Sequence, residues 1–106
     1  MITKIIKTDY PEDLWEKVEI VLNNFGTQSW HNEIDRVRIA ILKLAHGDII
    51  ELQKITDAAC VDYRDILAWA EYPNDMKSFD FKDTEKQRLT RAEDKRQFSE
   101  WLLKYK

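Results

Sequence analysis

Apolar residues recur at helical spacing along most of the chain, and this pattern predicts about five α-helices. The first predicted helix starts near Pro11, carries an apolar stripe over residues 14–25 and ends at Gly26, since glycine is favoured just past helix ends. The second spans residues 33–45 and is apolar on most of its circumference. That distribution is typical of a helix at the centre of a domain.

Capping residues predict the bounds of the next two helices. Asp48, with Glu51 three residues later, forms the reciprocal capping pattern that starts a helix. Asp62 predicts the start of a fourth, short helix. This helix ends before Pro73, because the residue that precedes a proline avoids helical geometry.

Three other segments complete the predicted architecture. Residues 1–9 begin with β-branched residues broken by lysines, which favours a short extended arm or edge strand. Residues 74–83 are predicted to form a polar loop whose aromatic residues pin it to the core. Residues 84–106 are predicted to form a C-terminal helical segment whose apolar stripe, residues 98–105, packs across the second helix. The predicted fold is a single all-α domain over residues 1–106, a compact helical bundle with the second helix central.

Composition agrees with this fold and excludes several classes of protein. The 106 residues are 43% hydrophobic and 35% charged, as expected of a globular domain. The single cysteine, Cys60, excludes an intrachain disulfide framework and a multi-thiolate metal site, and its apolar neighbours favour a small buried hydrophobe. The longest apolar run, residues 39–42, is too short to span a membrane, and the N-terminus lacks a signal-peptide pattern. We therefore expect a cytoplasmic protein without a membrane partner.

Charge is distributed unevenly along the chain. Residues 1–81 carry nine basic and 15 acidic side chains, whereas residues 82–106 carry eight basic and five acidic ones. The C-terminal segment is interpreted as a solvated helix of mixed sign. Its small positive excess does not indicate a nucleic-acid patch, which needs more basic residues with fewer acids among them.

Several common catalytic motifs are absent from the sequence. The two glycines, Gly26 and Gly47, are too far apart to form a phosphate-binding loop. The two histidines, His31 and His46, lack the spacing of a zinc-protease helix, and no Gly-x-Ser-x-Gly motif is present. These absences favour a protein that is not an enzyme and that needs no cofactor. An enzyme built from scattered residues is the third hypothesis for function.

One histidine lies beside carboxylates and is the weak candidate for chemistry. His31, with Glu33 and Asp35 nearby, has the residue types of a general base or a metal site. The structural interpretation is that Asn32 caps the second helix while Trp30 covers the edge of the core. We favour this structural interpretation over a general base or a metal site.

A second hypothesis is DNA binding. Residues 48–72 have the spacing of a helix-turn-helix, with the turn at residues 60–61. Tyr63 and Arg64 would then read the DNA. The same residues carry two basic and six acidic side chains, and this net of −4 opposes binding to a phosphate backbone.

The leading hypothesis is a protein-interaction module, which binds another protein or a second copy of itself. The chain has four tryptophans, and several aromatic residues fall beside the predicted buried stripes or in the predicted loop. Exposed aromatic side chains dominate many binding hot spots. The predicted partner-binding residues are Trp15, Trp69, Tyr72, Phe79, Phe81 and Trp101.

Two segments carry a resemblance to other proteins. Residues 36–48 (RVRIAILKLAHGD) and 62–73 (DYRDILAWAEYP) resemble stretches of small bacterial all-helical proteins with no assigned function. The resemblance covers roughly the middle third of the chain. It implies a stand-alone helical protein, and it carries no activity and no site residues.

Overall fold

A computed structural model of the chain describes residues 1–77 and 84–106. These residues form seven α-helices and a 3-10 turn, and no strand. The helices are α1 (Ile2–Asp9), α2 (Trp15–Asn23), α3 (Ile34–Ala45), α4 (Ile49–Val61), α5 (Tyr63–Glu71), α6 (Pro73–Lys77) and α7 (Thr84–Leu103), and the turn is Glu12–Leu14. The all-α prediction is confirmed, and the predicted count of five is too low. No helix of the described ranges combines the length and apolar content needed to cross a membrane.

The N-terminal segment is a helix, so the extended arm predicted for residues 1–9 is wrong. Ile2, Ile5 and Ile6 recur at helical spacing, and the last two are buried in the core. Tyr10, just past the helix, is buried beside them. Burying one amphipathic face outweighs the weak preference of β-branched residues for strands, which depends on context.

Helix α3 packs against α1, α4 and α5. Its buried side chains are Val37, Ala40, Ile41, Leu42 and Ala45. Asn32 does not cap it as predicted. Glu33 precedes the helix in a left-handed conformation (φ +49°), with no side-chain capping bond. The Nδ2 of Asn32 instead donates to the hydroxyl of Tyr63 at 3.5 Å.

Gly47 lets the ends of α1 and α3 approach closely. Its φ is +77°, a left-handed conformation that glycine adopts at little cost. A Cβ atom at this position would lie 2.7 Å from the carbonyl oxygen of Asp9. Any other residue here would force apart the chain segments that end α1 and α3.

Asp48 and Asp62 cap α4 and α5 as predicted, but the reciprocal bond expected from Glu51 does not form, because the backbone N–H of Asp48 donates to the carbonyl oxygen of Ala45 at 3.0 Å. The Asp48 carboxylate accepts hydrogen bonds from the backbone N–H groups of Ile50 (2.8 Å) and Glu51 (3.2 Å). The Asp62 carboxylate accepts from the backbone N–H of Arg64 at 3.0 Å. The turn predicted at residues 60–61 is wrong, because both residues belong to α4 and Asp62 alone separates α4 from α5.

Pro73 starts α6, so residues 74–77 are helical and the loop predicted there is wrong. Proline suits the first position of a helix because its missing N–H needs no partner there. The rest of the predicted loop, residues 78–83, lies outside the described residues. Helix α7 packs chiefly against α5 and α6 rather than across α3.

A buried carboxylate joins α7 to α6. Asp94 is almost inaccessible to solvent. Its carboxylate accepts from the backbone N–H groups of Asn74 (3.3 Å) and Asp75 (2.9 Å), and from the Asn74 side-chain amide (2.8 Å). Arg91, one turn earlier on α7, donates to the Asp75 carboxylate at 3.1 Å. The first-turn N–H groups of α6 therefore find their acceptor on another helix.

Candidate interaction surface

Two of the predicted partner-binding tryptophans make contacts within the chain. The indole N–H of Trp15 donates to the carbonyl oxygen of Tyr10 at 2.8 Å, and the Lys7 ammonium lies 5.4 Å from the centre of its ring. Trp101 packs between the rings of Phe98 and Tyr105, at centroid distances of 5.7 and 5.2 Å. Both tryptophans are half-buried, and these contacts give each a role in the fold.

The remaining predicted partner residues differ in exposure, and two of them lie outside the described residues. Trp69 is 40% exposed on α5. Tyr72 is half-buried, and the Arg91 guanidinium lies 5.1 Å from the centre of its ring. Phe79 and Phe81 lie outside the described residues. A role of Trp69 in partner binding stays a prediction.

His31 is buried and organises the loop between α2 and α3. Its Nδ1 accepts hydrogen bonds from the backbone N–H groups of Gly26 (2.8 Å) and Gln28 (3.4 Å). The imidazole stacks on Phe25, with ring centroids 4.3 Å apart, and the half-exposed Trp30 meets it edge-on. Its Nε2 is buried and has no hydrogen-bond partner within the described residues, so the ring serves to support the loop.

The predicted metal ligands are not arranged as a metal site. The Glu33 carboxylate accepts from Arg36 at 2.9 and 3.1 Å, and Asp35 is exposed. A concavity of about 650 Å³ lies here, lined by residues 31–36. Across residues 1–77 and 84–106, no group of three or more His, Cys, Asp or Glu side chains could hold a metal ion.

Two cations of α3 tie it to neighbouring helices. Arg36 forms a two-bond ion pair with Glu71 on α5, with N···O distances of 2.8 and 2.5 Å. These hydrogen bonds raise the pKa of Arg36 above its usual range. Lys43 donates to the carbonyl oxygen of Ala70 and lies 5.4 Å from the ring centre of Phe98 on α7. Burial lowers the pKa of Lys43.

Tyr105 ties the C-terminus to α1. Its hydroxyl is 3.0 Å from both carboxylate oxygens of Asp9. Burial, followed by this hydrogen bond and the negative charge of Asp9, raises the pKa of Tyr105 to about 12. The contact is a structural link between two ends of the chain.

The residues predicted to read DNA are not presented together. Tyr63 is half-buried, and its ring lies 6.1 Å from that of Phe25 in the core. Arg64 is exposed, and its guanidinium donates to Asp62 at 3.2 Å. This hydrogen bond lowers the pKa of Asp62. The geometry adds no support to the DNA-binding hypothesis.

Helices α2 and α4 lie side by side and form an apolar groove. A concavity of about 300 Å³ between them is lined by Lys17, Val21, Ile49, Ile50, Gln53 and Lys54. Farther along, the half-buried Cys60 places its Sγ 3.7 Å from the carbonyl oxygen of Asn24. Burial, followed by the charge of Asp57, raises the pKa of the Cys60 thiol. Cys60 packs against the core as predicted, although it is half-buried rather than buried.

Three β-branched residues on the two helices that form this groove are strongly exposed, and one of them, Ile50, lines the groove. Ile20 on α2 is 60% exposed, and on α4 Ile50 is 66% and Val61 is 83% exposed. We call these three residues, together with the lining of the groove, the α2–α4 face. These three residues are not among the predicted partner-binding residues, although the sequence carries a signal: each falls outside the buried apolar stripe of its helix when the helical period is followed.

Comparison with other proteins supplies no template for this surface. No protein-family model, no curated protein and no solved structure matches the chain. The exposed side chains themselves are therefore the basis for a proposal about function.

Proposed function

We propose that the chain is a non-enzymatic protein-interaction module, and that the α2–α4 face is its contact surface. The observation that supports this proposal is the strong exposure of Ile20, Ile50 and Val61 on two adjacent helices. Single exposed apolar residues are common, whereas several on two adjacent helices, with an apolar groove between these helices, are typical of an interaction site. The other large exposed apolar side chains of the described residues lie on several different elements.

The energetics fit a protein partner. Covering an exposed Ile or Val side chain completely stabilises a complex by about 1.5–3 kcal/mol. Association costs about 4–15 kcal/mol in lost motion, so three such residues need further contacts. The groove supplies them, because it can receive an apolar side chain of the partner between Val21 and Ile49. Lys17 and Lys54 add charged groups at its rim.

Site-specific photo-crosslinking tests the proposal. A photoreactive amino acid replaces Ile50 in one variant and Leu89, which is 62% exposed on α7, in a matched control. Each variant is irradiated in a lysate of the native host at about 0.5 M salt, which screens purely ionic contacts. We expect position 50 to cross-link to a defined protein chain, identified by mass spectrometry, and position 89 to give much less product.

The same experiment can contradict the proposal. If position 50 cross-links to no chain, or gives the same unselective products as position 89, the α2–α4 face is not an interaction surface. Circular dichroism of both variants checks that each one is folded.

A further inference from the structure

We infer that the occupant of the α2–α4 face is a second copy of this chain, with the two α4 helices packed antiparallel about a two-fold axis. The inference rests on the proposed function, because it names the partner of the same surface. The observation that supports this inference is the order of residues along the exposed side of α4.

Four exposed residues form a straight seam along α4. Ile50, Lys54, Asp57 and Val61 are separated by four, three and four residues, and all four are exposed. This alternation keeps side chains on one side of a helix, and it is the spacing at which paired helices meet. The seam faces away from Leu52, Thr56 and Ala59, the buried residues of α4.

The seam is complementary to itself when it is reversed. In an antiparallel pair centred between Lys54 and Asp57, Ile50 of one copy lies opposite Val61 of the other. Lys54 of each copy then lies opposite Asp57 of the other. Apolar residues meet at both ends and opposite charges meet in the middle. A two-fold interface requires a surface that complements its own copy in this way.

The charges of the seam are available for such pairing. Asp57 accepts a hydrogen bond from the neutral amide of Gln53 at 3.0 Å, and in the described ranges it forms no ion pair. The Lys54 side chain is 70% exposed and lies 3.7 Å from Glu51, a loose surface contact. A parallel pair in register would place each charge opposite its own copy, and like charges oppose association.

Helix α2 enlarges the contact beyond the seam. A standard interface buries about 800 Å² on each partner, more than one side of a short helix supplies. The groove, lined in part by Val21 and Ile49, adds apolar surface next to Ile50, and Ile20 adds an exposed apolar side chain on α2. The second copy would therefore cover the α2–α4 face as a whole.

A charge-reversal complementation experiment tests the inference. Lys54→Glu and Asp57→Lys are made separately, and sedimentation equilibrium gives the dimer dissociation constant of each variant. We expect the native chain to dimerise and each single variant to dimerise at least about tenfold more weakly, since like charges then meet twice. An equimolar mixture of the two variants is expected to dimerise again, because each reversed charge meets an opposite charge on the other chain.

Two controls accompany the mixture. Lys4→Glu reverses an exposed charge on α1, away from the seam, and is expected to leave the dimer dissociation constant unchanged. The double variant Lys54→Glu/Asp57→Lys keeps the complementarity and is expected to dimerise as the native chain does. Circular dichroism shows that each variant retains its helical content.

Three results would overturn the inference. The first is a native chain that stays monomeric at every concentration. The second is a dimer that neither charge reversal weakens, and the third is a mixture that stays monomeric. A monomer whose position 50 still cross-links to a different protein would overturn the two-fold pairing and support the interaction module. Absence of both a dimer and a cross-link would overturn the two proposals together.

Discussion

Helices α4 and α7 use their apolar and polar residues in opposite ways. Helix α4 buries apolar residues such as Leu52 and Ala59 in the core and still exposes Ile50 and Val61. Helix α7 is longer, yet its most buried side chain among the described residues is the carboxylate of Asp94. One helix therefore has more apolar residues than the core uses, whereas the other buries a hydrogen-bonded carboxylate more completely than any of its apolar side chains.

This difference distinguishes side chains that stabilise the fold from side chains that are exposed and available to a partner. The hydrogen bonds between Asp94 and α6 hold α7 in one position, because a hydrogen bond requires a narrow range of distances and angles. The exposed apolar residues of α4 have no such role in the isolated fold. Their exposure is explained if another chain covers them.

The largest effect is expected in the core below α4. Leu52→Ala removes a fully buried side chain and leaves a cavity, so the free energy of unfolding should fall by about 2–5 kcal/mol. Leu89→Ala, the matched change on the exposed side of α7, should change it by less than about 0.5 kcal/mol. Urea denaturation of both variants measures the difference. Similar losses would contradict the assignment of the core.

The next effect concerns how α7 is held. Asp94→Ala leaves the first-turn N–H groups of α6 without their acceptor, and each buried unpaired group costs about 1–3 kcal/mol. Hydrogen exchange should therefore become faster in α6 and α7 while α3 stays protected. Glu93→Gln, at an exposed neighbouring position, should leave this pattern unchanged. Equal acceleration in α3 would show that α7 is not held separately.

A smaller effect distinguishes two buried tyrosines. Tyr105→Phe removes the hydrogen bond to Asp9 and should lower the free energy of unfolding by about 1.5–3 kcal/mol, the range for bonds to charged groups. The Tyr10 hydroxyl is buried and has no partner within the described residues, so Tyr10→Phe should be neutral or stabilising. Chemical denaturation at neutral pH compares them. A loss in Tyr10→Phe as large as in Tyr105→Phe would contradict this contrast.

The smallest effect is the dependence of stability on alkaline pH. Burial first, then nearby carboxylates, raises the pKa of Tyr10 and Tyr105 from 10.0 to about 12. The folded state therefore disfavours tyrosinate, and this contribution is present below pH 10 and lost as pH rises through about 12. The urea midpoint should fall less between about pH 9 and about pH 11 in Tyr105→Phe than in the native chain. An unchanged fall would contradict the raised pKa.

The sequence predicted the helices whose ends are marked by local residues. Asp48 and Asp62 cap α4 and α5 as expected, because a cap depends on atoms two or three residues away. Helix α1 was mistaken for an extended arm, since its isoleucines also suit a strand and their burial depends on α2 and α3. Helix α6 was missed because its N–H groups are satisfied by Asp94, a residue far along the chain.

The candidate surface contains none of the aromatic residues that the sequence indicated for partner binding. The aromatic residues chosen from the sequence include Trp15 and Trp101, which are partly buried and pack against the core. Aromatic side chains are large enough to reach a neighbouring element, so falling beside a buried stripe does not expose them. Ile50 and Val61 are shorter and rigid, and on the outer side of a helix they remain exposed.

Light scattering on a size-exclusion column measures whether α4 pairs with a second copy of itself. The native chain and Val61→Asp are compared over about a tenfold range of concentration. If the two α4 helices pair, the native mass rises from the monomer value of 12.7 kDa toward twice that value, while the mass of Val61→Asp stays near the monomer value. A native mass that remains at 12.7 kDa throughout, or a Val61→Asp mass that rises equally, would contradict the pairing of α4 with a second copy.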